Sequence, residues 1–377
     1  ENSLTSGAAH FIEHMLFKGT ERRSAFDIAS AIDSVGGVMN AATGKEITSF
    51  YIKIPDYHLE MAVDLLADIF TGSRFAEEEI ARERAVILQE IRMVEDTPDD
   101  HIHDLFEGMF WKGHPLGFPI LGTRERVESF RRGDLIDFFH SHYGGCNLVL
   151  TAAGNLKHDR FAASVRSSFG SLHRSPSCGP VDAPVAAAGR AVLRKDLEQA
   201  HLVVGAPAPS AVSPDRHAAF LLNAVLGGSM SSRLFQEIRE KRGLAYDIGS
   251  YLVPYRDAGM FGISAGTDAA RVREVLGLIR EILDRFCTDL LTEKELQSAK
   301  ELLKGNFLLG MESTDSRMTS LGRNEIYFGR PVTPEEVIGR IDAVGREAIR
   351  DLAGRMFRPE FMAAAAVGPV SEEDLAF

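Results

Sequence analysis

The chain of 377 residues is long enough for two or more domains with substantial cores. Its 45% hydrophobic and 25% charged residues are typical of a globular protein, and its net charge of -12 argues against a nucleic-acid partner. The cysteines Cys146, Cys178 and Cys287 have no C-x-x-C spacing, which argues against a structural metal cluster and favours a reducing, cytoplasmic compartment, and no apolar run is long enough for a membrane span.

A first helix is predicted around the run His10-Phe11-Ile12-Glu13-His14, whose neighbours are apolar. On a helix, His10 and His14 lie one turn apart and Glu13 shares their face. Burying two imidazoles and a carboxylate is costly unless a charged group meets them. Because the glutamate directly precedes the second histidine, the pattern is the H-x-x-E-H inversion of the zinc-protease helix. The alternatives are a zinc centre, which needs a third ligand from elsewhere, and a pair of core histidines.

The next segment reads as helix, strand and helix. Ser24 is predicted to cap a second helix that ends at Gly36-Gly37. The β-branched and aromatic residues of 47–54 predict a strand, and apolar spacing predicts a helix over 58–70. This alternation is typical of an α/β sandwich, in which helices pack on a sheet.

A helix predicted from about Ala76 to Val94 carries two glutamates on its apolar face. Glu83 and Glu90 are seven residues apart and fall within the stripe formed by the isoleucines. Buried carboxylates need a cationic partner, which is either a metal ion or an unidentified Arg or Lys. Because about 10 Å of helix separates the two, only one of them can bind the same ion directly.

The order and spacing of these residues resemble the pitrilysin-type zinc metallopeptidases, the inverzincins. The resemblance is greatest to the branch that contains the mitochondrial processing peptidase β subunit and its bacterial relatives. It lies in the run 7–20, in the distance from His14 to Glu90, and in Glu83 one heptad earlier. The resemblance implies one zinc ion per chain. The implied site residues are the ligands His10, His14 and Glu90, the general base Glu13, and an essential carboxylate outside the ligand set, Glu83.

Two further segments resemble substrate-binding elements of that family. Asn40 and Ala41 are similar to the edge strand on which an extended peptide adds a further strand; the alternative is an ordinary turn. In the second half of the chain, Arg239 and Tyr246 match an Arg and a Tyr that contact the peptide near the zinc, with Arg242 as the rival to Arg239. Read without the family, these cations would be the end of a helix, where they interact favourably with its dipole.

The second half of the chain repeats the plan of the first. Residues 174–189 have the composition of a linker and divide the chain into 1–173 and 190–377. An offset of 216 residues places Asn306 where Glu90 would be, so we expect only the first half to carry the metal site.

The expected fold is α+β. It consists of two duplicated α/β sandwich halves, each a mainly antiparallel sheet covered by helices, which face each other across a peptide-binding chamber. A strand is predicted over 148–154. Two strands precede the first helix of the second half, whereas the first half begins almost at its helix. We therefore expect a strand pair to be missing in front of Glu1.

The resemblance implies a zinc-dependent endopeptidase that hydrolyses extended or unfolded peptides, of the processing-peptidase or oligopeptidase type. Because the implied site residues lie in both halves, the halves must close around the peptide. A homodimer is favoured, since one chain carries both sets of residues; a heterodimer with an inactive homologous subunit is the alternative. The rival function is a non-catalytic structural subunit, as in the core proteins of respiratory complexes.

Overall fold

The computed structural model describes residues 1–173 and 182–376 of the chain. Part of the expected linker, 174–181 with Cys178, lies outside the described residues, while 182–188 have no regular structure. The described chain forms two compact units. Unit 1 comprises Glu1–Met93, 118–173 and Arg317–Gly322, and unit 2 comprises Val94–Gly117, Asp182–Ser316 and 323–376.

Helices and strands follow the sequence pattern closely. Those of residues 1–173 are α1 (Ala8–Leu16), α2 (Ala25–Asp33), β1 (Val38–Thr43), β2 (Thr48–Lys53), α3 (Leu59–Gly72), α4 (Glu77–Asp96), α5 (Pro98–Phe110), α6 (Arg124–Ser129), α7 (Arg132–His142) and α8 (His158–Ser168). Those of residues 182–376 are β3 (Gly189–Arg194), β4 (Gln199–Pro207), α9 (Arg216–Leu226), a π-helix (Phe235–Glu240), β5 (Ala245–Pro254), β6 (Gly259–Asp268), α10 (Val272–Thr288), α11 (Glu293–Gly310), α12 (Thr314–Phe328), α13 (Pro334–Asp342), α14 (Arg346–Met356) and β7 (Ala363–Gly368). The predicted strand and helices over 47–54, 58–70 and 76–94 are confirmed to within two residues at either end.

Helix α1 belongs to the core of unit 1. Its side chains Phe11, Ile12 and Leu16 are fully buried and pack in one cluster with apolar residues of α3 and α4. Because this face is apolar and tightly covered, the opposite face is the one that presents His10 and His14.

The start of α1 is fixed by two backbone contacts. Gly7 adopts a φ of 88°, and a Cβ there would lie 2.8 Å from the carbonyl oxygen of Leu121, so only glycine fits. The carboxylate of Glu1 accepts hydrogen bonds from the N–H groups of Gly7 and Ala9, at 3.2 and 2.9 Å. These bonds satisfy donors that a helix start leaves without partners.

The predicted cap of helix α2 is confirmed. Ser24 and Asp27 make a capping box at the start of α2.

The sheet of unit 1 is smaller than expected. Strands β1 and β2 pair antiparallel and, among the described residues, form a two-stranded sheet. Residues 148–153, where we predicted a strand, have no regular structure. A strand needs neighbours for its backbone groups. The corresponding strand of unit 2, β7, lies between β3 and β4, both of which come before α9. No described strand precedes α1, so 148–153 has no equivalent partners.

Unit 2 contains a five-stranded sheet in the order β3-β7-β4-β6-β5, antiparallel except for the parallel pair β3 and β7. Alternate residues of β4 face opposite sides. Leu202 and Val204 pack with helices α9, α10, α11 and α14, and Val203 packs with Phe106 and Phe110 of α5. Residues 94–117, which we had placed in the first half, therefore belong to the core of unit 2. The predicted division at 173 and 190 otherwise stays a prediction.

Matching helices support the internal duplication. The predicted offset of 216 residues takes Glu77, where α4 begins, to Glu293, where α11 begins. Helix α7 begins at Arg132 and helix α14 at Arg346. Helix α7 precedes the segment 148–154, where a strand was predicted, as helix α14 precedes β7. Among the residues that the structure describes, no helix combines the length and the apolar character that a membrane span requires.

A buried histidine makes the stability of unit 2 depend on pH. His217 on α9 is 7% exposed, and burial, followed by the positive charges of Arg216 and Arg340, lowers its pKa to about 4. His217 therefore binds a proton more readily in the unfolded chain than in the folded protein. The contribution of His217 to stability is present above pH 6.5 and is lost as the pH falls toward 4.

We expect His217→Asn to lose less stability than the wild type between pH 6.5 and pH 4. The slopes of the free energy of unfolding against pH should differ between the two proteins by at most about 1.4 kcal/mol per pH unit. Urea unfolding at several pH values measures it, and all other titrating groups are common to both proteins. Equal slopes for the two proteins would contradict the assignment.

Candidate metal centre

Three side chains from α1 and α4 converge in unit 1. Nε2 of His10 and Nε2 of His14 each lie 3.7 Å from the same oxygen of Glu90, Oε2. The three potential ligand atoms lie within 4.8 Å of one another. Within the described part of the chain, this is the one group of three His, Cys, Asp or Glu side chains close enough to share an ion. The fold thus brings together the three residues that the sequence predicted as ligands.

The donor set fits zinc. Two imidazole nitrogens and one carboxylate oxygen are the ligands that a catalytic zinc takes from a protein, with a fourth position left open. Two ligand atoms bound to one tetrahedral ion lie about 3.4 Å apart, which is close to the 3.7 Å seen here. Burial, together with the charge of His14, lowers the pKa of His10 to about 4. His10 is therefore neutral at physiological pH, the form that binds a metal.

The second predicted carboxylate, Glu83, lies beside this group and has two partners. The Glu83 residue is 5% exposed. Its Oε2 lies 2.9 Å from Nδ1 of His14, and its Oε1 lies 2.7 Å from Nζ of Lys18. When Nδ1 of His14 donates to Glu83, Nε2 is left free on the side of Glu90. The prediction that both carboxylates are buried is correct for Glu83 and wrong for Glu90, whose side chain is 33% exposed. Of the two predicted kinds of partner, Glu83 has a lysine, and Glu90 joins the potential metal ligands.

Lys18 is a contact that sequence reasoning missed. In the sequence it was only part of the run 7–20, and no contact was predicted for it. Its signal in the sequence is its spacing, since Lys18 follows His14 by four residues and so continues the same helical face.

Glu13, the predicted general base, is held by strand β1. The hydroxyl of Thr43 donates a hydrogen bond to Oε2 of Glu13. Thr43 is the last residue of β1 and lies opposite Thr48 of β2. The sequence placed Thr43 next to the proposed substrate strand but gave no sign that its hydroxyl reaches α1, because that contact depends on how the hairpin packs.

Asn40 and Ala41 lie in the middle of β1, opposite Tyr51 and Phe50 of β2. The strand forms here, and the alternative of an ordinary turn does not. Asn40 is exposed, and its side-chain oxygen accepts the N–H of Ala41 at 2.9 Å. The other edge of β1 has no strand beside it among the described residues. An open edge of this kind offers unpaired backbone groups to an extended chain.

In unit 2 the structure brings Arg239 and Tyr246 together. The guanidinium of Arg239 lies 4.9 Å from the ring centroid of Tyr246 and 4.7 Å from that of Phe235, within cation–π range. Tyr246 is 78% exposed and lies at a bulge in β5. The rival residue, Arg242, instead pairs with the carboxylate of Glu237 at 2.7 Å.

Comparisons with known proteins identify the family of the chain. The family model described as Insulinase (Peptidase family M16) matches residues 1–124, and the Peptidase M16 inactive domain matches 129–303. The chain is 40% identical to the uncharacterized zinc protease YmxG of Bacillus subtilis, over 96% of this chain and 88% of that protein. It is also 40% identical to the uncharacterized zinc protease SCO5738 of Streptomyces coelicolor, over 99% of this chain and 83% of that protein.

Two solved structures share the fold. A protease from Helicobacter pylori has a TM-score of 0.88 at 22% identity and covers 97% of this chain and 91% of its own. A peptidase M16 inactive domain from Pseudomonas fluorescens has a TM-score of 0.87 at 21% identity and covers 98% and 91%. At these identities the two structures establish the α+β fold alone. The bacterial relatives and the family models also establish the family. They show that the chain belongs to the M16 peptidase family, the pitrilysin-type family that its first helix resembles.

Proposed function

We propose that the protein is a zinc-dependent endopeptidase that cuts extended peptides. The observation that carries the proposal is the group formed by His10, His14 and Glu90, whose donor atoms are of the kinds that zinc takes from proteins and lie within 4.8 Å of one another. The name zinc protease, given to the relatives from Bacillus subtilis and Streptomyces coelicolor, supports the choice of metal.

Glu13 is proposed as the general base. Zinc held by the three ligands would lower the pKa of a water molecule and polarise the peptide carbonyl. Glu13 directly precedes the ligand His14 on α1 and is partly exposed. Its carboxylate would take a proton from the attacking water and deliver one to the leaving amine. The hydroxyl of Thr43 would restrain that carboxylate in one orientation during both transfers.

The proposed substrate is an extended peptide. The open edge of β1 at Asn40 and Ala41 would pair with the peptide backbone. Arg239 and the exposed Tyr246, which stack on each other, would contact peptide carbonyl groups and support the oxyanion. Because one chain carries both groups of residues, we propose a homodimer as the active form.

One experiment tests the proposed function. Zinc content is measured on the purified whole protein, and cleavage of a pool of unstructured peptides is followed with and without a chelator. We expect one zinc per chain, cleavage that the chelator abolishes, and recovery on adding zinc. A protein that holds one zinc per chain yet cuts none of the peptides would favour the structural-subunit alternative instead.

We expect Thr43→Val to lower peptide turnover while leaving zinc affinity unchanged. The substitution removes the hydrogen bond to the Glu13 carboxylate, and a bond to a charged group contributes about 1.5–3 kcal/mol, or roughly a 10–100-fold effect on rate. Thr43→Ser keeps the hydroxyl and is the matched control. Steady-state kinetics of the three proteins provide the measurement. Wild-type turnover in Thr43→Val would rule out a positioning role for this hydroxyl.

A further inference from the structure

Lys18 and a ligand of the proposed zinc site are joined through one buried carboxylate. Nζ of Lys18 lies 2.7 Å from Oε1 of Glu83, and Oε2 of Glu83 lies 2.9 Å from Nδ1 of His14. The Glu83 side chain is 7% exposed, and that of Lys18 is 31% exposed. Each oxygen of Glu83 thus has its own partner, and the direction of one bond constrains the direction of the other.

A cation is needed at this position. A carboxylate removed from water loses most of its solvation, and removing the lysine that pairs with it leaves the buried charge uncompensated. Without Lys18, the freed oxygen of Glu83 would turn toward solvent or toward His14, and the single aligned bond to Nδ1 would be lost. A ligand histidine whose other nitrogen is held in place presents the correct tautomer and ring orientation to a metal. Lys18 therefore acts on His14 without touching it.

The turn that carries Lys18 is itself held firmly. Gly19 has a φ of 107°, which allows the chain to reverse directly after the lysine. Thr20 is fully buried; its hydroxyl donates to Oδ2 of Asp68 at 2.9 Å and accepts the N–H of Arg23 at 2.9 Å. The guanidinium of Arg23 in turn lies 2.6 Å from Asp68. A lysine needed only for solubility would not require such an anchor on its C-terminal side.

We propose that Lys18 is a positioning residue for the metal centre: it fixes the Glu83 carboxylate so that His14 presents Nε2 toward His10 and Glu90. This inference rests on the proposed zinc site and adds a residue that acts through Glu83. It makes zinc affinity, and not only peptide cleavage, depend on a side chain that contacts neither the metal nor the peptide.

The test measures zinc dissociation constants of the whole protein by competition with a chromophoric chelator. The proteins are wild type, Lys18→Met, Lys18→Arg, Glu83→Gln and the double variant Lys18→Met/Glu83→Gln. Lys157→Met, which makes the same change at an exposed site, is the control. We expect Lys18→Met to bind zinc about 10–100-fold more weakly, as for other residues that orient a metal-binding histidine. Lys18→Arg, which keeps a cation within reach of Glu83, should recover most of the loss.

The double variant separates positioning from general stability. If Lys18 acts through Glu83, Lys18→Met should cause no further loss of zinc affinity once Glu83 is Gln. The double variant leaves no buried charge unpaired, so it keeps the test decisive even where Lys18→Met alone does not fold. Losses that add, or wild-type affinity in a folded Lys18→Met protein, would overturn the role of Lys18 alone. Absence of zinc binding in the wild type would overturn the proposed function and this inference with it.

Discussion

Glu13→Gln should abolish peptide cleavage and leave zinc bound. The amide has the shape of the carboxylate and can still accept the hydrogen bond of Thr43, but it cannot take a proton from water. General-base catalysis contributes typically 10²–10⁴-fold, so we expect turnover to fall by about 10³. Stopped peptide assays and metal analysis on the same preparation give the two measurements.

The control for this variant is Glu128→Gln, the same change at an exposed carboxylate of α6 in the same unit. It should match the wild type in both assays. If Glu13→Gln kept more than a tenth of wild-type turnover with full zinc content, Glu13 would not be the base. If zinc were lost as well, its role would be in metal binding and the proposed division of roles on α1 would be wrong.

Glu90→Gln should weaken zinc binding more than any change outside the ligand group. The substitution removes the negative charge and one of the three atoms that lie within reach of a common ion. Substitutions that only orient a ligand reduce metal affinity by about 10–100-fold, and loss of a ligand should exceed the upper figure. Chelator competition measures the affinity, and peptide cleavage should be lost at zinc concentrations that saturate the wild type.

Glu78→Gln provides the comparison on the same helix, since Glu78 is exposed in the first turn of α4. A zinc affinity within about twofold of wild type is expected there, because exposed charges are screened by solvent. Should Glu90→Gln bind zinc as tightly as Glu78→Gln, the third ligand would have to come from another residue, and Glu83 would be the first to test.

The candidates for the ligand group were accessible from sequence because each obeys a local rule. His10 and His14 share a helical face by their spacing, and Glu83 and Glu90 both stand out as charges within an apolar stripe. The choice of Glu90 as the ligand came from the family resemblance. The capping residue Ser24 and the starts of α4 and α11 follow equally local signals. Such features need no knowledge of how distant segments pack.

The contacts that support the ligands were not accessible in the same way. Thr43 reaches Glu13 only because the hairpin of β1 and β2 packs against α1, and Lys18 reaches Glu83 only because a buried threonine anchors its turn. The strand predicted over 148–154 shows that a local pattern alone does not make a strand. Its residues have the right pattern, but pairing partners decide whether a strand forms, and among the described residues it has none.

The π-helix over Phe235–Glu240 implies that the Arg239 site tolerates a change of one residue in chain length. A π-turn accommodates one residue more than the α-helical turn it replaces, so the residues on either side of it keep nearly the same direction. Deleting a single residue between Phe235 and Arg239 would let the segment rewind as an α-helix and leave the arginine facing nearly as before. Its guanidinium would then stay against the face of Tyr246. A homologue that is one residue shorter here and has no π-turn would still present the same Arg–Tyr pair.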